Sequence, residues 1–228
     1  MSGEALRIGV CGVGTVGLAT IDILLLQSAM VSARAGKDLK VTHVGARRDH
    51  ADHDYGDARV SRDVMDVARD PEVDVLVELI GGTGVAHDLI KLAIEQGKHI
   101  VTANKALIAE HGNELFALAE AAGVQLGFEA SVAGGIPIIK ALRESMAANE
   151  VKQVAGIING TGNFILTEMS SKGRAFGDVL CEAQALGYAE ADPTFDIDGT
   201  DAAHKLSILA SLAFGIPLNI DGPVKQGI

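Results

Sequence analysis

The sequence predicts an α/β fold, a parallel doubly wound sheet followed by an α+β region. Three observations predict it. Short apolar runs of strand length alternate with helical periods over the first 128 residues, the order that builds a parallel sheet with helices on both faces. Ala, Val, Ile, Leu and 27 glycines carry the core, with 48% hydrophobic residues, 4% aromatic and no Trp. Such a composition suits α/β packing better than an aromatic-rich β-sandwich. A glycine triplet, Gly12-Val13-Gly14-Thr15-Val16-Gly17, stands between the first strand and the first helix.

Residues 6–11 read as a short buried strand, and a helix over 14–33 follows the glycine turn. Residues 40–46 form a second strand, 47–60 a polar and charged loop, 61–69 a short helix and 73–79 a third strand. The helix over 85–96 ends at Gly97, as a C-cap glycine would end it. A fourth strand at 99–102, a helix at 107–122 and a fifth strand at 124–128 complete the alternation. Beyond Phe128 the pattern weakens. Residues 132–137 read as a glycine-rich turn, 138–148 as a helix and 151–158 as a strand. Helices follow at 164–172, 178–186 and 202–214, the last stopped by Gly215 and Pro217. The expected domains are 1–128 and 129–228. No Pro/Ser-rich linker separates them.

Charge and length narrow the partners. The chain has 228 residues and a net charge of −11, and no Lys/Arg cluster offers the basic patch that nucleic acid needs. Cys11 and Cys181 show neither metal-ligand spacing nor a disulfide framework. The N-terminus lacks the basic and apolar regions of a signal peptide, and no apolar run reaches the ~18 residues of a membrane span. The expected location is the cytoplasm, with no membrane partner.

The glycine triplet has the context that gives it meaning, strand before and helix after. Gly12 permits the tight turn, Gly14 lets the backbone approach a pyrophosphate, and Gly17 lets the helix pack on the strand. Together they predict a Rossmann-type dinucleotide site. An NAD enzyme usually ends its second strand with an acid, but here the chain reads His43-Val44-Gly45-Ala46-Arg47-Arg48. Arg47 suits a 2′-phosphate, so NADP is favoured, while nearby Asp49 leaves NAD open. The run from Asp49 to Asp54, with two His and three Asp, reads as a solvated loop rather than a metal site.

Four later segments carry polar chemistry. Thr102-Ala103-Asn104-Lys105 follows the fourth strand, where ligands bind in open α/β sheets. Glu129 precedes Val132, Gly134 and Ile136 in a turn whose carbonyls suit a hard monovalent cation, although a plain tight turn reads as well. Asn159 and Thr161 could fix a small polar ligand or merely cap a helix. The segment GYAEADPTFDIDGTDAAHK, residues 187–205, sets acids before a single lysine. Asp201 and Lys205 are four apart, on one helix face. They read equally as a proton-transfer pair and as a surface ion pair.

The stretches GVGTVG, VTANKALIA, FEASVAGGIPIIKALRE, GIINGTGNFILTEM and GYAEADPTFDIDGTDAAHKLSILASLAFG together resemble homoserine dehydrogenase over nearly the whole chain. The resemblance implies reversible reduction of L-aspartate 4-semialdehyde to L-homoserine with NAD(P)H, on the route to threonine, methionine and isoleucine. It implies that Lys205 donates the proton, that Glu190 and Asp201 hold the amino-acid end, and that Lys105 lies near nicotinamide and substrate. It implies cofactor contacts at Thr83 and Gly187. It also implies a sodium site of Glu129 with the main-chain oxygens of Val132, Gly134 and Ile136, and a homodimer formed through residues 151–158. Family members run on past residue 228, so a returning segment and a regulatory domain are expected to be missing here. A non-catalytic dinucleotide-binding module and a related dehydrogenase with another substrate are the competing expectations.

Overall fold

The computed structural model describes residues 4–48 and 53–228; Asp49, His50, Ala51 and Asp52 lie outside the described residues, and with them most of the run read as a solvated loop. The chain divides into two compact units, Met1–Ser131 and Val132–Ile228.

The first unit is a six-stranded sheet in the order β3-β2-β1-β4-β5-β6. Its strands are β1 Leu6–Cys11, β2 Leu39–Gly45, β3 Arg59–Ser61, β4 Val75–Glu78, β5 His99–Thr102 and β6 Leu126–Gly127, every pair parallel. Parallel pairing requires crossovers, supplied here by α1 Thr15–Leu26, α2 Ser28–Ala35, α3 Val64–Arg69, α4 Gly84–Glu95 and α5 Lys105–Ala122. Val10, Val44, Leu76 and Ile100 fill the sheet interior, and Ile21, Leu89, Ile90, Leu107 and Leu115 bury the helices against it. Strand order reverses between β1 and β4, which opens a crevice beyond their carboxyl ends.

Two expectations fail in this unit. The single helix over 14–33 is two helices, α1 and α2, that meet at 83°. A straight 20-residue helix would run ~30 Å, past the ~20 Å of a six-residue strand. The chain therefore turns at Gln27 to reach β2, where Ser32 accepts the Leu39 N–H at 3.1 Å. The predicted loop 47–60 runs into β3, an edge strand of three residues. Its pairing depends on distant side chains: buried His43 lies 2.7 Å from both Ser61 Oγ and Asp70 Oδ2, and Arg59 reaches Asp70 at 3.0 Å. No local pattern announces such a strand. No single described helix is long and apolar enough to cross a membrane; the bent α1–α2 pair passes that test jointly, by length and composition.

The second unit is helical among its described residues. It contains α6 Ile138–Lys140, continued by a wider turn over Ala141–Ser145, then α7 Gly160–Lys172, α8 Phe176–Ala185, α9 Thr194–Ile197 and α10 Thr200–Phe214. Ile165, Val179, Ala183 and Ala189 form its buried cluster. The strand expected at 151–158 is absent: those residues carry no regular structure. A strand needs a ladder partner, and no second strand forms among the described residues of this unit. Ile157 is left 77% exposed.

Candidate functional site

The first unit carries a candidate site in its crevice. A cavity of about 540 Å³ is lined by Gly12, Gly14, Arg47, Arg48, Arg62 and Ile80, among others. The glycines divide the work. Gly12 has φ 97°, and a Cβ there would stand 2.5 Å from the Leu79 carbonyl oxygen. A Cβ on Gly17 would overlap the Gly12 carbonyl oxygen, so the first turn of α1 is tied to the loop beneath it. At Gly14 a Cβ meets nothing within 4 Å of the chain. Its missing side chain leaves open space above the α1 N-terminus, where unpaired N–H groups favour an anion. Three arginines beside that opening suit a phosphate-rich ligand. The residues therefore fit a phosphorylated dinucleotide. Thr15 and Val16 stand exposed on the first turn of α1, and Val13 is buried beside them.

A fully buried carboxylate shapes the opposite wall. Glu78, the last residue of β4, accepts the N–H groups of Ile80 and Gly81 at 2.8 and 3.1 Å, and the Thr102 hydroxyl at 2.6 Å. Thr102 Oγ1 accepts the Asn104 N–H at 3.0 Å. Asn104 donates to the Gly82 carbonyl at 2.7 Å and caps α5 through Leu107 N–H. This chain of bonds fixes the loop that carries half-buried Thr83 and the helix start that carries half-buried Lys105. The Thr102 hydroxyl, expected at the cofactor, is used inside that network.

The second unit carries its own polar cluster, around the N-terminal turns of α7 and α10. Asn159 caps α7, its Oδ1 accepting the Gly162 N–H at 2.6 Å. Its amide donates to Asp196 at 2.7 Å and to Asp201 Oδ2 at 2.9 Å. Lys205 donates to the same Asp201 oxygen at 2.7 Å and to the Ile158 carbonyl at 2.8 Å. Asp201 is 2% exposed, while the Lys205 side chain keeps 18%. An ammonium has three N–H donors. Two are held in fixed directions by the chain, and the partly exposed face of Lys205 carries the third. Buried Thr161 donates to the Tyr188 carbonyl at 2.6 Å and so ties α7 to the segment after α8.

Glu190 and Gly187 are exposed on that segment; Gly187, at φ 75°, ends α8 in the left-handed region. Glu129 sits in a tight turn over Glu129–Ser131 at the end of the first unit. Buried Val132 and exposed Gly134 and Ile136 open the second, with Ala133 at φ 61° and Gly134 at φ 57°. Reading the sequence missed Arg62 and Glu78 as site residues, and it set Asp196 only within the acidic run before Lys205. Glu78 left a trace, an acid closing the apolar strand VLVE. Arg62 follows the unforeseen strand β3 and left none.

A family model described as "Homoserine dehydrogenase, NAD binding domain" matches residues 12–129, and one described as "Homoserine dehydrogenase" matches residues 137–228. A homoserine dehydrogenase of Pseudomonas aeruginosa is 59% identical, over 99% of this chain and 52% of its own. One of Neisseria gonorrhoeae is 53% identical over the same shares. Among solved structures, a homoserine dehydrogenase from Thiobacillus denitrificans superposes with a TM-score of 0.93 at 53% identity, covering 99% of this chain and 52% of that one. A hyperthermophilic archaeal homoserine dehydrogenase in complex with NADPH gives 0.79 at 30% identity, covering 94% and 71%. The chain spans about half the length of the curated relatives it matches.

Proposed function

Since the chain belongs to the homoserine dehydrogenase family, we propose that it interconverts L-aspartate 4-semialdehyde and L-homoserine with NADPH, in threonine, methionine and isoleucine synthesis. The observation that carries this reading is the Lys205 ammonium, held by Asp201 and the Ile158 carbonyl with one donor direction left for a ligand. Bound NADPH supplies a hydride to the carbonyl carbon. Lys205 meets the charge that develops on the carbonyl oxygen and delivers the proton; in the reverse direction it receives it. Asp201 is a positioning residue in this reading, since it is buried and its Oδ2 already serves Asn159 and Lys205. Exposed Glu190 is assigned the substrate ammonium, and Lys105 the second cation of the reaction.

Arg47, with Arg48 and Arg62, is assigned the 2′-phosphate, which favours NADP over NAD. Glu129 and the main-chain oxygens of Val132, Gly134 and Ile136 are assigned to Na+, a hard cation matched by oxygen donors. The left-handed backbone at Ala133 and Gly134 supports a specialised turn there. A homodimer through residues 151–158 is the proposed assembly, supported by a backbone outside any ladder and by exposed Ile157. The unpaired cysteines and acidic composition fit a cytoplasmic location.

The test is NADPH oxidation by the full chain with aspartate semialdehyde, in Na+ and in Li+ buffers, beside a panel of other aldehydes. Turnover that Lys205→Ala abolishes supports the assignment. Undiminished turnover in that variant sinks it. NADPH binding without turnover of any substrate identifies a dinucleotide-binding module instead.

A further inference from the structure

Helices α4 and α5 carry a cluster that the proposed reaction does not use. His87 lies on the first turn of α4, and His111 and Glu114 are three apart on one face of α5. One ligand atom from each of the three lies within 4.8 Å of the others. His87 Nε2 is 3.1 Å from Glu114 Oε2, and the two imidazole rings are 4.5 Å apart at a tilt of 39°. We propose that His87, His111 and Glu114 bind a divalent transition-metal ion of the zinc class, bridging α4 to α5.

The donor set carries the choice of ion. Two imidazoles and a carboxylate suit zinc and its neighbours in the divalent series, whereas magnesium and calcium seek oxygen donors alone. Metal–ligand distances of about 2.0–2.1 Å put adjacent donors roughly 2.8–3.4 Å apart in octahedral or tetrahedral sites. The His87–Glu114 distance already falls there, so closure needs a small movement of His111.

The surroundings favour a cation and orient the ligands. Lys91 donates to Glu114 Oε1 at 2.7 Å, which leaves Oε2 turned to His87. Asp88 Oδ1 stands 3.7 Å from His87 Nδ1, and Glu110 Oε2 stands 3.9 Å from His111 Nε2. Carboxylates behind ligating imidazoles are the usual outer support of such sites. Three acids thus face one lysine around the cluster. Both histidines are half-buried and Glu114 is exposed, so the ion would have a path from solvent and a position left for water.

The inference is independent of the proposed reaction, and its test needs no substrate. Zinc chloride is titrated into the full chain by calorimetry, and cobalt(II) by visible absorption. One ion per chain is expected, with a rise of a few degrees in the thermal midpoint at saturation (~100-fold excess over Kd). His87→Gln and His111→Gln should each weaken binding at least tenfold while circular dichroism and NADPH binding stay unchanged; Cys181→Ser should leave the affinity as it is. Unaltered affinity in both histidine variants overturns the proposal. So does a loss that follows His50→Gln/His53→Gln instead, which would put the ion in that segment. A variant that loses its fold is replaced by Glu114→Gln, held to the same criterion.

Discussion

Around Gly12, Gly14 and Gly17 the first unit offers main-chain groups and open space; around Lys205 the second offers side chains and a single carbonyl. Shape is the resource of the first, and a new Cβ is its main threat. Charge and proton position are the resource of the second, where a lost functional group matters more than a lost volume. Substitutions should therefore uncouple the two: changes in the turn alter folding or cofactor affinity, and changes in the cluster alter turnover at unchanged affinity.

The largest expected effect is in the cluster. Lys205→Ala should lower kcat by ~10²–10⁴, the range of a lost general acid–base, with the NADPH dissociation constant unchanged by fluorescence titration. A parallel loss of NADPH affinity would break the division. Next comes a contrast within the turn. Gly17→Ala forces its Cβ onto the Gly12 carbonyl and should destabilise the first unit by several kcal/mol, about 3 or more. Gly14→Ala meets no atom of the chain, so its urea midpoint should hold while NADPH affinity falls. Equal effects at both positions would show that the space at Gly14 is not kept for a ligand.

Smaller still is Arg47→Ser, which removes one cavity arginine. A charge-assisted bond is worth about 1.5–3 kcal/mol, so KM for NADPH should rise roughly tenfold or more, with KM for NADH little changed. The smallest lies outside both the turn and the cluster. Asp74 accepts the Arg7 side chain at 2.7 and 3.0 Å, which holds its carboxyl down to about 2. That stability is present above the ordinary carboxyl value and is lost as pH falls through about 2. Solvent screens this surface pair, so the effect is small. Asp74→Asn should flatten acid unfolding between pH 4 and 2 without touching turnover at pH 7.

The sequence was most legible where local rules decide. Residues 6–11 and 99–102 coincide with β1 and β5, and Gly97, Gly215 and the glycine triplet punctuate the helices around them. It was least legible where distant residues decide. Strand β3 exists because His43 and Asp70 hold Arg59 and Ser61. The strand expected at 151–158 lacks a ladder partner. In the site, Asp201 and Lys205 could be paired from spacing alone, because i,i+4 is a local relation. That Asn159 and Asp196 join them, from 42 and 5 positions away in the chain, is a matter of tertiary packing. Asp201 proved to be buried behind Lys205, a difference that spacing does not encode.

Glu78 has a consequence for how the chain assembles. It stands opposite Thr102 in the β4–β5 register, and its oxygens are bonded to Thr102, Ile80 and Gly81. A slip of one residue would turn the carboxylate to the other face of the sheet. It would then lose the Thr102 hydroxyl while remaining buried, a fault that costs about 1–3 kcal/mol. The other residues of β4 are Val75, Leu76 and Val77, which would tolerate such a slip with little objection. The acid thus acts as a proofreader of strand alignment, and a chain that passes its check already has the wall of the crevice in place.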